Sequence, residues 1–288
     1  MPDGLLISRE NYVDNPATLI TASDEASLDY VASNVATSLA FKKWRVVFLS
    51  ETTAFIQFDF QEPKLCKCFG ILFPRRADPN VHNKTPWYAP TDQIRIRLSN
   101  VQAGDGEVWD SGWMDSGVLL NFGYFAMWLE NGGYTAQYCQ IDFDCPGRAS
   151  DGVNPDLGWL DVKRIWVGDY YETSVFFTYG ANTKRRSNSR SSQPINGTTR
   201  FVSPQPSFST WTFTLDSVDE TEPEEGISEA DWLDDMESYL TTAGEFFVHR
   251  YDKARGRGDM FCYNQDNSGA NHASFMRSTR AYILVENA

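Results

Sequence analysis

The sequence predicts an all-β protein, an antiparallel β-sandwich with one short helix and long loops. Three observations predict it. Apolar and polar residues alternate with period two in several runs, which is the pattern of a strand with one face on a core and one in water. Turn-forming clusters such as Gly104-Asp105-Gly106, Asn131-Gly132-Gly133, Cys145-Pro146-Gly147 and Asn196-Gly197 separate the runs. Aromatic residues make up 14% of the chain and hydrophobic residues 41%, enough for a core and biased towards strand formers.

The elements follow in order. Ile56, Phe58 and Phe60 lie on one face with Gln57 and Asp59 opposite. Ile94, Ile96 and Leu98 alternate with Arg95, Arg97 and Ser99, and Trp211, Phe213 and Leu215 with threonines. Further strands are expected over 125–129, 137–143, 165–167, 175–179, 245–251 and 281–285. One helix is expected after Ser228, where Asp231 stands in the position of a capping-box acid and Trp232, Met236 and Tyr239 recur at helical spacing beside Leu233 and Leu240. Gly244 is placed to end it, and a short helix over 26–34 is a weaker expectation. Stretches 187–206 and 252–272 are rich in Ser, Asn and Gly and read as irregular. The organisation expected is one sandwich domain over 1–288, with an exposed loop near 184–206 and an acidic, helical insertion near 219–244. Trp44, Trp109, Trp113, Trp166 and Trp211 are candidate core anchors, since each buries a large ring and needs one partner for its N–H.

The formal net charge is -14, which opposes binding of nucleic acid through a broad basic face. No apolar run approaches the ~20 residues that span a bilayer, and the first residues lack the basic start of a signal peptide. Assembly in a cytoplasm is therefore expected. Five cysteines is an odd number and argues against a secreted disulfide framework.

The order of elements resembles a family of bacteriophage virion proteins built on a galactose-binding-like jelly roll. The segments that carry the likeness are Ile7-Ser8-Arg9-Glu10-Asn11, Thr21-Ala22-Ser23, Ala32-Ser33-Asn34 with Trp44-Arg45, and Ile56 to Phe60. They continue with Ile94 to Ser99 ending in Trp109-Asp110-Ser111-Gly112-Trp113, then Arg164 to Gly168, the loop from Arg185, and Trp211 to Leu215. The chain departs from the family at Cys66-Lys67-Cys68 and in the acidic run 220–225. The resemblance implies a structural subunit of the virion, at the tail, tail tip or baseplate, contacting copies of itself and other virion proteins. The alternative is a carbohydrate-binding module that recognises a host-surface glycan.

No catalytic motif is present, and His82, His249 and His272 stand alone in sequence, so an enzyme is not expected. No cofactor is implied. Trp87 and Tyr88, between Pro86 and Pro90, and Tyr134 are the candidate contacts for a glycan or a protein neighbour. Cys66 and Cys68, on one side of a strand by alternation, and Cys139 and Cys145 are candidate metal ligands, with buried free thiols as the plainer alternative. Asp142 and Asp144 are a weaker candidate for calcium.

Overall fold

A computed structural model of the chain describes residues 5–37, 42–48, 51–73, 92–115, 124–129, 132–146, 159–174, 182–187, 190–192, 201–203, 207–219, 227–240, 245–249, 259–274 and 277–286. By internal contacts the chain forms two compact units, one of Glu10–Asp169 and one of Met1–Arg9 with Tyr170–Ala288. The sequence reading expected one sandwich over the whole length. Every described strand pairing is antiparallel, and one α-helix is described.

In the first unit, with strands numbered along the chain, the larger sheet runs β2 (Leu19–Ala22), β4 (Thr53–Cys66), β10 (Tyr134–Asp144), β6 (Gln93–Ser99) and β7 (Trp109–Asp110), with β8 (Met114–Asp115) also on β6. A smaller sheet runs β12 (Arg164–Gly168), β5 (Cys68–Leu72) and β9 (Tyr124–Trp128), beside a pair β3 (Trp44–Val47) and β11 (Trp159–Val162). The alternation read from sequence is what buries. Ile56, Phe58, Ile94, Ile96, Leu98, Ile141 and Phe143 turn inward from the larger sheet and join Phe69, Ile71, Ile165, Val167 and Trp44 in one core. Each large apolar side chain removed from water there contributes roughly 1.5–3 kcal/mol. The chain changes sheets at Lys67, whose N–H bonds Gly168 and whose carbonyl accepts Leu129. Trp44 is fully buried and its indole N–H donates to the Asp24 carbonyl at 2.9 Å, which meets the need of a buried indole.

In the second unit a seven-stranded sheet has β1 (Leu6–Ser8) between β13 (Tyr171–Glu172) and β18 (Glu245–His249), followed by β19 (Asp259–Ser274), β20 (Arg277–Glu286), β17 (Ser207–Asp219) and β14 (Asn182–Ser187). Helix α1 spans Glu229–Leu240, and its start is capped as expected, the Ser228 hydroxyl accepting Asp231 N–H at 3.0 Å. Ala230, Leu233 and Met236 share a core with Trp211, Phe213 and Leu215. The helix is thus part of a core, packed with the Trp211 strand.

Two polar stretches read as irregular contain strands. Within 184–206 lie most of β14, β15 (Arg190–Ser192) and β16 (Phe201–Ser203). Within 252–272 lies most of β19, which pairs on both sides. Its register against β20 shifts three times, near Asn264, Asn267 and His272, so bulges absorb residues that break the alternation. The short helix expected over 26–34 is instead a 3-10 turn at Ala32–Ala36. Residues 175–179 and Gly244 lie outside the described residues.

Candidate functional site

The outward face of the larger sheet carries a row of polar residues paired directly across five strands: Thr21, Gln57, Gln140, Arg97 and Asp110. They are bonded laterally. Thr21 donates to Gln57 at 3.3 Å, and the Gln57 amide donates to Gln140 Oε1 at 2.5 Å. The Gln140 amide donates to Asp142, which takes a two-point ion pair from Arg97, both at 2.8 Å. The 100–107 loop lies over the middle of this row. Arg97 Nη1 bonds the Gly104 carbonyl, and a Cβ on Gly104, at φ +90°, would stand 2.5 Å from Gln140 Oε1. Gln140 and Asp142 are therefore buried although they face away from the core.

At the β7 edge a second guanidinium, Arg95, pairs two-point with Asp110, which lowers the Asp110 carboxyl below its ordinary range through that bond. Next to this pair stands Trp113, 42% exposed, with the Arg95 guanidinium 5.9 Å from its ring. Trp113 was expected in the core, and the register explains why it is outside. Arg97 pairs Asp110 and Ile94 pairs Met114, so Arg95 and Ile96 are opposed by three residues, Ser111, Gly112 and Trp113. This is a β-bulge whose extra residue is accommodated at Gly112, with φ +65°. The shift of one residue packs Met114 against the core and turns Trp113 outward.

A cleft of about 290 Å³ lies between the end of β2, β3 and the start of β4. It is bordered by Val46, Val47 and Phe48 of the β3 segment and by a rim of Ser23, Asp24, Glu51 and Thr53. The Val46 and Phe48 side chains are buried in the core, and the half-buried Val47 is the apolar side chain left at its surface. The rim is held in place. Ser23 exchanges two bonds with Phe55, N–H to carbonyl at 3.0 Å and N–H to Oγ at 3.1 Å. Asp24 is fixed through its carbonyl by Trp44, and its carboxylate accepts Val47 N–H at 3.4 Å. Glu51 is exposed and makes no hydrogen bond among the described residues. Behind the cleft, Arg45 and Lys43 both reach the buried carboxylate of Asp161, Arg45 at 2.6 and 2.8 Å and Lys43 at 2.5 Å. Arg45 also lies over the rings of Tyr30 and Trp159, at 4.5 and 4.9 Å, and its backbone bonds Ala26 and Tyr30. The 23–31 segment that supplies Ser23 and Asp24 is thereby tied to β3.

None of the described residues singled out from sequence as site candidates lines this cleft. Trp87 and Tyr88 lie outside the described residues. Tyr134 begins β10 and is half-buried, stacked on Trp109 at 5.8 Å, while Trp109 in turn stacks on Phe69 at 5.9 Å. Cys66, Cys68, Cys139 and Cys145 are buried and form no disulfide with one another. Cys66 ends a strand of the larger sheet and Cys68 begins one of the smaller, so alternation along a single strand does not apply to them. Burial pushes the Cys66 thiol up to about 12 and raises Cys139 as well, so both are protonated at neutral pH. Among the described residues no three His, Cys, Asp or Glu side chains are gathered as a metal site would need. Asp142 is engaged by Arg97, and Asp144 accepts the Thr52 hydroxyl at 3.1 Å. Sequence reasoning missed the cleft, because Asp24 and Glu51 are distant in the chain and share no motif.

The fold is all-β with one described helix, and the first unit is an antiparallel sandwich. No family model and no curated protein sequence matches the chain. Solved structures similar to it include a CBM32 module from Clostridium perfringens in complex with GalNAc-β-1,3-galactose, at 14% identity and TM-score 0.36, covering 56% of this chain and 100% of that one. A chitosan-binding module from a chitosanase/glucanase of Paenibacillus sp. IK-5 is similar at 15% identity and TM-score 0.38, covering 56% and 99%. The lectin domain of lectinolysin, complexed with Lewis B antigen, is similar at 15% identity and TM-score 0.39, covering 56% and 96%.

Proposed function

We propose that the chain is a non-catalytic carbohydrate-binding protein whose first unit takes a sugar ring in the Ser23–Thr53 cleft. One observation carries the reading: a small, pre-formed cleft in which carboxylates and hydroxyls surround a single half-buried valine, Val47. A pyranose suits it, with a C–H face for the half-buried Val47 and hydroxyl donors for Asp24 and Glu51. At about 290 Å³ the cleft lies at the small end of ligand sites, roughly 300–1,000 Å³, which suits one ring and not a long chain. The bonds that fix Ser23 and Asp24 beforehand spare the ordering cost that weakens mobile sites. The virion role read from sequence rests on the sequence resemblance alone, and no feature of the fold or of the comparisons bears on a phage origin.

The experiment is a titration of the full chain against an array of neutral hexose and N-acetylhexosamine oligosaccharides. Binding by the wild type, weakened tenfold or more by Asp24→Asn with Glu51→Gln, is expected. An array with no hit above background, or hits indifferent to both substitutions, overturns the reading.

A further inference from the structure

We infer that Trp113, mounted on the Arg95–Asp110 pair, is a second saccharide contact, a flat platform for an outer ring of an oligosaccharide. The inference rests on the saccharide-binding reading but not on the cleft.

Trp113 is not exposed by default, as a residue in a loose loop would be. It stands between two strands of two residues each, β7 and β8, and both are paired to β6. The residues between them are bonded as well. Ser111 N–H donates to the Ile96 carbonyl at 3.0 Å, Ile96 N–H to Ser111 Oγ at 2.9 Å, and Gly112 N–H to Asp110 Oδ1 at 2.8 Å. Without the extra residue, Trp113 would face Ile94 and enter the core. The bulge spends a left-handed glycine to do the opposite, and bulges recur where a side chain must be re-aimed at a site. An indole held in water loses the hydrophobic stabilisation it would gain inside, so a fixed, outward indole is a cost that a ligand can recover.

The surroundings select the ligand. Beside the ring are Arg95 and Asp110, which neutralise each other. Arg95 Nη1 has no partner among the described residues, and it can donate to a ring hydroxyl. A planar apolar plate beside a neutral guanidinium–carboxylate pair fits an uncharged pyranose, with C–H groups on the indole and hydroxyls on the pair. A protein partner would be met by a wider apolar patch around the ring, as the centres of such interfaces are depleted in charge.

The test compares wild type, Trp113→Ala, Trp113→Phe, the cleft double variant and Val101→Ala, whose parent residue is 72% exposed but sits on no such mount. The probes are the neutral oligosaccharides that the wild type binds, read by calorimetry. Trp113→Ala is expected to lose about tenfold in affinity, about 1.4 kcal/mol. Trp113→Phe is expected to keep most of it and Val101→Ala all of it, with unchanged circular dichroism throughout. Trp113→Ala within twofold of wild type, while the cleft variant loses binding, overturns the platform and leaves the cleft reading standing. The reverse pattern supports the platform and removes the cleft. Loss of self-association in Trp113→Ala, with glycan affinity intact, makes the indole a contact between copies and also overturns the inference.

Discussion

Asp161 gives the sharpest energetic test of how the cleft is held. Its carboxylate is fully buried on β11 and receives Arg45 at two points and Lys43 at a third. Replacing it with alanine leaves two cations facing an empty acceptor. Removing one member of a buried pair costs roughly 3–5 kcal/mol, most of it from the charge left behind. Here the cations keep some water, since the Arg45 and Lys43 side chains are 22% and 24% exposed, and Arg45 keeps the rings of Tyr30 and Trp159. That places the cost at the low end, about 3 kcal/mol. For a domain of this size the loss corresponds to a fall of about 6–12 °C in Tm. Asp161→Asn, which keeps the volume and one acceptor, should lose less. The assay is thermal and urea unfolding followed by near-ultraviolet circular dichroism, with Arg45→Met, Asp161→Ala and the pair combined in a double-mutant cycle. The double variant should lose less than the sum of the singles. A loss for Asp161→Ala below about 1 kcal/mol, the range of an exposed ion pair, would refute the argument from burial.

Other outcomes follow from the same reasoning. Gly133→Ala places a Cβ 2.6 Å from the Cys66 carbonyl oxygen at φ +77°, and should cost about 2 kcal/mol in urea unfolding. Gly112→Ala, with open space at φ +65°, should cost less, so an equal loss would mean that crowding does not decide the difference. In alkali the first unit should weaken. The Cys66 thiol is raised from 9.0 to about 12 by burial, and burial also raises the Tyr12 hydroxyl. The unfolded chain loses these protons first, so stability falls as pH rises from about 9 towards 12. A flat urea midpoint over that window would contradict it, as would rapid labelling of Cys66 by a thiol reagent at pH 8 in the native state. In the second unit, Leu233→Ala removes a fully buried side chain and should cost about 2–5 kcal/mol, while Ser228→Ala removes the helix cap for about 1 kcal/mol. Comparing their urea midpoints checks the order.

The strands legible in the sequence are those in which one face is buried and the other wet. Ile56, Phe58 and Phe60, and likewise Ile94, Ile96 and Leu98, alternate because a sheet with one core face demands it, and all six are buried. The Ser228 cap was legible for an equally local reason, since its bond closes within three residues. The strands that were missed lack that signal. β19 runs through Asn264 to Asn267 and Gly269 with little apolar patterning, and it is ordered by pairing with β18 and β20. Pairing of that kind is a property of partners distant in the chain, and no local window contains it.

The site residues were harder to read for a further reason, which Trp109-Asp110-Ser111-Gly112-Trp113 makes concrete. In a regular strand, residues four apart share a face, so two tryptophans at that spacing should both be core. Trp109 is packed against the core, between Phe69 and Tyr134, and Trp113 is outside. One glycine separates the two outcomes, because a single left-handed residue shifts the register and exchanges the faces of everything after it. A glycine inside a strand pattern is therefore the one local sign that alternation will fail, and the residue after it is the one whose burial must be reconsidered. Gly104 teaches the complementary lesson: its missing Cβ admits the loop that buries Gln140 and Asp142, two polar residues that alternation alone would place in water. In both cases the exception to the strand pattern, and not the pattern, decides which polar and aromatic groups are presented to a ligand.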